Sequence, residues 1–302
     1  MRAKLKRSLA DGVDWKGGGA ELAAIGPFDS LFARFNSAGY VVLPRVISQD
    51  DVRKLNLEID GLLARQPDSM AYNLPSAVGL SPLIANLMEY SLPLALIVNH
   101  LGYNLQLHSS VLTVRRPVQA QMGENFDANR GRTDGRHVSL NWHRDGPMPQ
   151  FPRVEAFSAK VCFVLSDMSQ SGRGNTRVVP GSHLQPSFKP GRGEPDADFK
   201  EMVEICAEPG DAFVFTQNLW HAAAANTSDI ERRLVFIGYS AIWARPVDHD
   251  GAIPELLADA SPVRRQLVGE LGSAPVSRYV PSDDWLPLKE FWLGAPPSRT
   301  YA

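Results

Sequence analysis

The amino-acid sequence predicts an α+β protein with a mainly β core, a β-sandwich or jelly roll with flanking helices. Two observations carry this reading. Helical periodicity is confined to residues 28–104, and from Leu105 onward short β-rich runs alternate with Pro, Gly and Asp turns. With 302 residues, 44% hydrophobic and 21% charged, the chain has the composition of an ordinary globular protein. No internal repeat or low-complexity tract divides it. It reads as one domain over residues 1–302: an arm (1–27), a helical front part (28–104), a jelly-roll core (105–245) and a proline- and aromatic-rich tail (246–302).

Residues 28–35 read as a short helix, and Gly39-Tyr40-Val41-Val42-Leu43-Pro44 as a strand closed by its proline. Ser48 caps the next helix, with Asp50 and Asp51 in its first turn, where negative charge suits the helix dipole. Val52, Leu55, Ile59, Leu62 and Leu63 recur at helical spacing and define its buried stripe. A second helical region is expected over residues 81–100. Leu105 to Arg115 is strand-like and Pro117 closes it; residues 118–136, rich in Gly, Asn, Asp and Arg, form a long loop. Residues 137–145 are the next strand. Shorter strands follow at 159–165, 177–179, 203–206, 212–215 and 233–239, separated by turns such as Pro180-Gly181-Ser182 and Pro209-Gly210-Asp211. The tail after Arg245 carries eight prolines together with Trp285 and Trp292, and is expected to pack back on the core.

A net charge of −2 gives no general attraction to nucleic acid or to an anionic membrane. The two cysteines, Cys162 and Cys206, form no disulfide framework and no zinc spacing, which points to a reducing compartment. Residues 1–7 are basic, but no apolar stretch of signal-peptide length follows them. The longest apolar run, at 92–98, is too short to span a bilayer, and Thr300-Tyr301-Ala302 is not a peroxisomal tripeptide. The expectation is a cytoplasmic protein with a small-molecule substrate and neither nucleic-acid nor membrane partners. A monomer is expected, with a homodimer as the alternative.

Trp142-His143-Arg144-Asp145 is the most informative stretch. On a strand, side chains alternate, so His143 and Asp145 point the same way while Trp142 and Arg144 point to the other. That gives two of the three ligands of a facial 2-His-1-carboxylate iron site. In a jelly roll, strands distant in sequence lie side by side, so His221 can complete the set. Two neutral imidazoles and a carboxylate hold Fe(II) on one face and leave positions for a chelating 2-oxo acid and for dioxygen. The far carboxylate of 2-oxoglutarate then needs a deep cation, which a guanidinium supplies best through a bidentate charge-assisted pair. Arg232, at the head of a strand, is a candidate.

These segments resemble, in order and over roughly residues 30–240, the phytanoyl-CoA dioxygenase (PhyH) family of Fe(II)/2-oxoglutarate-dependent oxygenases. The matching pieces are residues 39–44, Trp142-His143-Arg144-Asp145, Arg177-Val178-Val179-Pro180-Gly181-Ser182-His183, Pro209-Gly210-Asp211, His221 with Asn226, and Arg232. The resemblance implies a double-stranded β-helix (jelly roll, cupin-like), iron held by His143, Asp145 and His221, and 2-oxoglutarate anchored by Arg232. It also implies the reaction: 2-oxoglutarate and dioxygen are converted to succinate and carbon dioxide while a substrate is oxidised, with hydroxylation the default outcome. Two departures stand out. The family often has Gly-Ser after the distal histidine, where this chain has Ala222 and Ala223, so the cosubstrate-binding hydroxyl is missing and Thr113 is a candidate replacement. Asp145 is retained, which argues against halogenating relatives, where a small residue vacates that position.

Other residues carry competing readings. Alternation sends one of Arg232 and Arg233 inward, and the family spacing favours Arg232. His183 reads as a structural residue of the Pro-Gly-Ser-His corner, and His108 as a core histidine. Trp142 and Trp220 precede the ligands and read as walls that exclude water, or as substrate contacts. Arg115, Arg116 and Arg144 lie near the expected mouth, either to meet an anionic substrate or as solvated charges. Two rival functions remain at this level: a non-catalytic jelly roll that binds a small ligand, and a cupin-type metalloenzyme that uses no 2-oxoglutarate. Substrate identity is unread, because the loop, the helical front and the tail are the least family-like segments.

Overall fold

The computed structural model describes residues 28–118, 132–133, 136–137, 142–145, 156–185, 201–250, 253–270 and 287–288. Helix α1 (Phe28–Ala38) buries Leu31 and Phe35 and leads through Gly39 into strand β1 (Tyr40–Leu43). Helix α2 (Gln49–Leu63) starts as expected: the Ser48 side chain accepts from Asp51 N, a cap worth about 1 kcal/mol. Its buried face is Val52, Leu55, Ile59 and Leu62; Leu63 is only half-buried. The region expected to be helical over 81–100 is broken. A short helix α3 (Pro82–Asn86) and a 3₁₀ turn end at Tyr90, whose backbone is extended, and α4 (Ser91–Leu101) restarts at an angle of 53°. Pro93 accounts for the break, because within a continuous helix its ring would clash with the carbonyl of residue 89. No single helix among the described residues is long and apolar enough to cross a membrane. The bent pair passes that test by length and composition only, and its apolar residues other than the exposed Leu83 lie mostly in the core.

The remaining strands are β2 (Ala71–Pro75), β3 (Leu105–Arg115), β4 (Arg132–Thr133), β5 (Arg136–His137), β6 (Ser158–Val164), β7 (Thr176–Val178), β8 (Val203–Glu204), β9 (Ala212–Thr216), β10 (His221–Ala223) and β11 (Arg232–Ala241). A short helix α5 (Pro262–Leu267) follows them. They form a six-stranded sheet in the order β1-β9-β6-β11-β3-β2 and a three-stranded sheet β10-β7-β8, all antiparallel. This is the predicted jelly-roll core with helices on one side. Strand β4, inside the expected loop of 118–136, pairs with β5, which straddles the end of that loop and the start of the strand expected from His137.

Alternation sorts the large sheet into two faces. Val41, Leu43, Val161, Phe163, Val214, Val235, Ile237 and Tyr239 pack outward against the helices, and Leu288 from the tail joins this cluster. Trp285 and Trp292 lie outside the described residues. Cys162, Val164, Phe213, Phe215 and Leu234 pack inward toward the small sheet, with Val178 and Ile205. The inward face is where the polar candidates gather.

Candidate metal centre

His221 opens β10 on the small sheet and is buried. His143 pairs with it across a single antiparallel bridge, each amide donating to the other's carbonyl at 3.0 Å, and Asp145 N donates to Gln217 O at 3.0 Å. The expected strand over 137–145 is therefore not one strand: 136–137 pair in a hairpin, 138–141 lie outside the described residues, and 142–145 hold their place through these isolated bonds. The bridge still directs both side chains to one spot. His143 Nε2 lies 3.7 Å from Asp145 Oδ1 and His221 Nε2 lies 3.7 Å from Asp145 Oδ2. The three donor atoms lie within 4.8 Å of one another, close enough to share one ion.

The protonation pattern suits a cation. His221 Nδ1 donates to Leu219 O at 3.0 Å, which leaves the Nε2 lone pair free to face the other donors. Burial pushes the His221 pKa down to about 4, so the ring is neutral near neutral pH. Burial alone would raise Asp145, but the neighbouring His221, Lys160 and His143 outweigh it and hold the carboxyl below its usual range. Its side chain is only 19% exposed, and Lys160 Nζ lies 2.9 Å from Oδ2.

Arg232 heads β11 and points inward, while Arg233 points outward to Asp60, Glu231 and Asn56, as alternation predicts. Arg232 is 3% exposed. It donates to Gly174 O at 2.6 Å and to Thr113 Oγ1 at 2.9 Å, and its Nε has no partner among the described residues. No carboxylate pairs with it among the described residues. Burial, with Arg115 nearby, pushes its pKa down to about 9. A buried guanidinium held only by neutral oxygens is set to take an anion.

A profile of the phytanoyl-CoA dioxygenase (PhyH) family matches residues 35–234, more than half of the chain. The chain belongs to the phytanoyl-CoA dioxygenase family. Among curated relatives, it is 32% identical over 97 residues to dioxygenase andF of Emericella variicolor, covering 32% of each chain. It is 26% identical over 220 residues to multifunctional dioxygenase prhA of Penicillium brasilianum, covering 68% of this chain and 69% of the relative. The chain spans only 32%, 46% and 35% of the lengths of andF, af480 and peniF. Solved structures share the fold. HygX from Streptomyces hygroscopicus with nickel and 2-oxoglutarate bound aligns with a TM-score of 0.58 at 18% identity, over 73% of this chain and 96% of that one. The epimerase SnoN in complex with Fe3+, alpha-ketoglutarate and nogalamycin RO aligns with a TM-score of 0.55 at 22% identity, over 72% and 86%.

Several residues expected at the mouth of this PhyH-family site sit elsewhere. Arg115 is 6% exposed and spends its guanidinium on Tyr72 O, Val114 O and Asn73 Oδ1, tying β2 to β3 rather than facing a substrate. Arg116 pairs with Asp68 and Glu231 and covers the Tyr72 ring. Arg144 donates to Ser182 O and Gln185 O and lies over the Trp220 ring at 5.0 Å, so it braces the Pro-Gly-Ser-His corner. Trp220 N donates to Ser182 Oγ, and Trp142 is half-buried. Thr113 is placed to steady Arg232. His183 takes its structural place: Nε2 donates to Asn36 O at 2.9 Å, and its ring leaves no room for a Cβ at Gly39, whose φ is +82°. Asn226 bridges Arg115 O and Ile230 O, fixing the turn before Arg232. Sequence reasoning missed Lys160. Its signal was the one charge in Ser158–Val164, at an inward position of that strand.

Proposed function

We propose that the protein is a non-haem Fe(II)- and 2-oxoglutarate-dependent dioxygenase that oxidises a small molecule, hydroxylation being the default outcome. One observation supports this most: an inward-facing His-Asp-His set shares its barrel with a buried guanidinium that has no carboxylate partner among the described residues. His143, Asp145 and His221 are the metal ligands, and Arg232, steadied by Thr113, takes the distal carboxylate of 2-oxoglutarate. Bound iron and 2-oxoglutarate supply the oxidant by reaction with dioxygen, releasing succinate and carbon dioxide.

The chain's own residues prepare the site. The Leu219 carbonyl fixes the His221 tautomer, Phe215 packs against its ring at 4.9 Å, and Phe213, Phe236 and Leu234 keep water from the inner wall. Gly174 O and Thr113 hold the Arg232 fork in place before any ligand arrives, which lowers the ordering cost of binding. Structures of the same fold include an epimerase and a carbocyclase, so the outcome after hydrogen removal depends on how the substrate sits. Both cysteines are free, which supports a reducing, cytoplasmic setting, and we read the chain as a single domain acting as a monomer.

The test is direct. Arg232→Ala should weaken 2-oxoglutarate binding to the metal-loaded protein roughly 100-fold by calorimetry, and His143→Ala should abolish Fe(II)-dependent succinate formation. Unchanged binding in the first variant would favour a cupin-type enzyme without 2-oxoglutarate. An unchanged rate in the second would remove the metal assignment.

A further inference from the structure

We propose that Lys160, Ser109 and His108 form a second anion site, which takes a carboxylate of the organic substrate. This inference rests on the function proposed above. The site is separate from the Arg232 pocket. It centres on Gly238, which is 238 − 232 = 6 residues farther along β11, roughly 20 Å by strand rise. Lys160 on β6 and Ser109 on β3 are the two cross-strand neighbours of Gly238. A Cβ there would lie 2.7 Å from Ser109 Oγ and 3.5 Å from Lys160 Cγ, so the hydroxyl and the lysine stem converge over the one residue without a side chain. Any other residue would fill that gap.

The donors gathered there are not saturated. Ser109 is 7% exposed, and its Oγ borders the space over Gly238. His108 occupies the bulge where the β3–β11 register shifts, and its Nδ1 is buried without a partner. Lys160 has one partner, Asp145. The other carboxylate near His108, Asp248, already accepts from Ser76 N and Ser110 N and pairs with His249.

Charge accounting then selects the ligand. The two charges of a divalent metal cancel those of 2-oxoglutarate. Asp145, which Lys160 meets at 2.9 Å, balances only one of Lys160 and Arg232, so these groups together keep one positive charge. A substrate carboxylate restores neutrality and accepts from Ser109 and His108 at once. At the same strand ends, three residues past Gly238 and two before Ser158 respectively, Ala241 and Ala156 flank an aromatic pair: Trp243, 59% exposed, stands 5.4 Å from the Phe157 ring. The substrate class is therefore an organic acid with an apolar or aromatic body.

The test uses the full chain loaded with Ni(II) and saturated with 2-oxoglutarate, titrated calorimetrically with 3-phenylpropionate and with its uncharged analogue 3-phenylpropanamide. The acid should bind about tenfold or more tighter than the amide. Lys160→Met should erase that preference, Lys160→Arg should keep it, and Ser109→Ala should weaken the acid about threefold. Equal binding of acid and amide to the wild type overturns the proposal, as does a preference that survives Lys160→Met. So does a loss of 2-oxoglutarate affinity in Lys160→Met, which would move Lys160 into the cosubstrate site. If the wild type binds neither Ni(II) nor 2-oxoglutarate, it is the underlying oxygenase reading that fails.

Discussion

On its outer face the six-stranded sheet offers Val41, Phe163, Val214, Val235 and Ile237 to the helices, whereas on its inner face the same strands offer Phe213, Phe215 and Leu234, then Thr113, Lys160 and Arg232. Each strand therefore carries two programmes in alternate residues. The outer one is apolar up to Arg233 at the strand end, and each large side chain it buries contributes about 1.5–3 kcal/mol. The inner one is apolar only where the two sheets touch, and it ends in charges that burial penalises, as the lowered pKa of Arg232 records. A register slip of one residue would exchange the two sets, so the outer apolar face is what keeps the inner polar groups in place.

The sharpest way to break this division is to cut the outer face alone. Phe163→Ala removes a fully buried ring that meets Tyr90 edge-on at 5.9 Å. Urea unfolding should show a loss of about 3–5 kcal/mol, while the affinity of the folded, metal-loaded protein for 2-oxoglutarate stays within about twofold of wild type. A folded variant whose 2-oxoglutarate affinity fell in step with its stability would show that the two faces are not separable.

The outer programme was the more legible of the two. Leu105–Arg115 could be read to the residue, because an unbroken β-rich run is closed by Pro117, and the α2 stripe followed from its period and the Ser48 cap. The metal set was legible through the spacing within Trp142-His143-Arg144-Asp145 and through family motifs that bring in His221. What stayed hidden depends on partners that sequence spacing cannot supply. Arg115 and Arg144 read as mouth charges because the acceptors that bury them are carbonyls at Tyr72, Ser182 and Gln185, far away in sequence. The bend at Tyr90 did have a signal in the sequence, Pro93 just beyond Glu89-Tyr90-Ser91, which the helical reading over 81–100 passed over. The bulge that His108 occupies is a property of the pairing between β3 and β11, not of either strand alone.

A second, smaller effect separates the layers by pH. His100 closes α4 in the outer layer, edge-on to Phe35 at 4.9 Å, and its Nε2 is buried without a partner. Burial, reinforced by the charge of His183, pushes its pKa down to about 4 from the ordinary 6.5. Between those values the folded state binds fewer protons than the unfolded chain, so stability rises with pH across the window. The contribution is complete above 6.5 and is lost as pH falls toward 4, at up to about 3 kcal/mol. In metal-free protein His221 adds a slope of the same sign, so the comparison must be made against wild type. His100→Leu should flatten the stability profile between pH 6.5 and 4 in urea unfolding series; an unchanged slope would place the titration elsewhere.

The smallest expected effect falls on the residue next to the cosubstrate anchor. Arg233 shares a strand with Arg232 and carries the same charge, but it faces Asp60 and Glu231 at 2.6 and 2.8 Å, with Asp60 more than half exposed. Asp60 is open to water and Glu231 keeps Arg116 as a partner, so Arg233→Met should cost only about 1 kcal/mol. Its aliphatic stem can be kept by the methionine, and its bonds to Asn56 are the main loss. Calorimetry on the metal-loaded variant should find 2-oxoglutarate bound as in wild type, in contrast to Arg232→Ala one residue away. A tenfold loss in Arg233→Met would mean that the anchor answers to the charge of the strand rather than to the face on which the guanidinium lies.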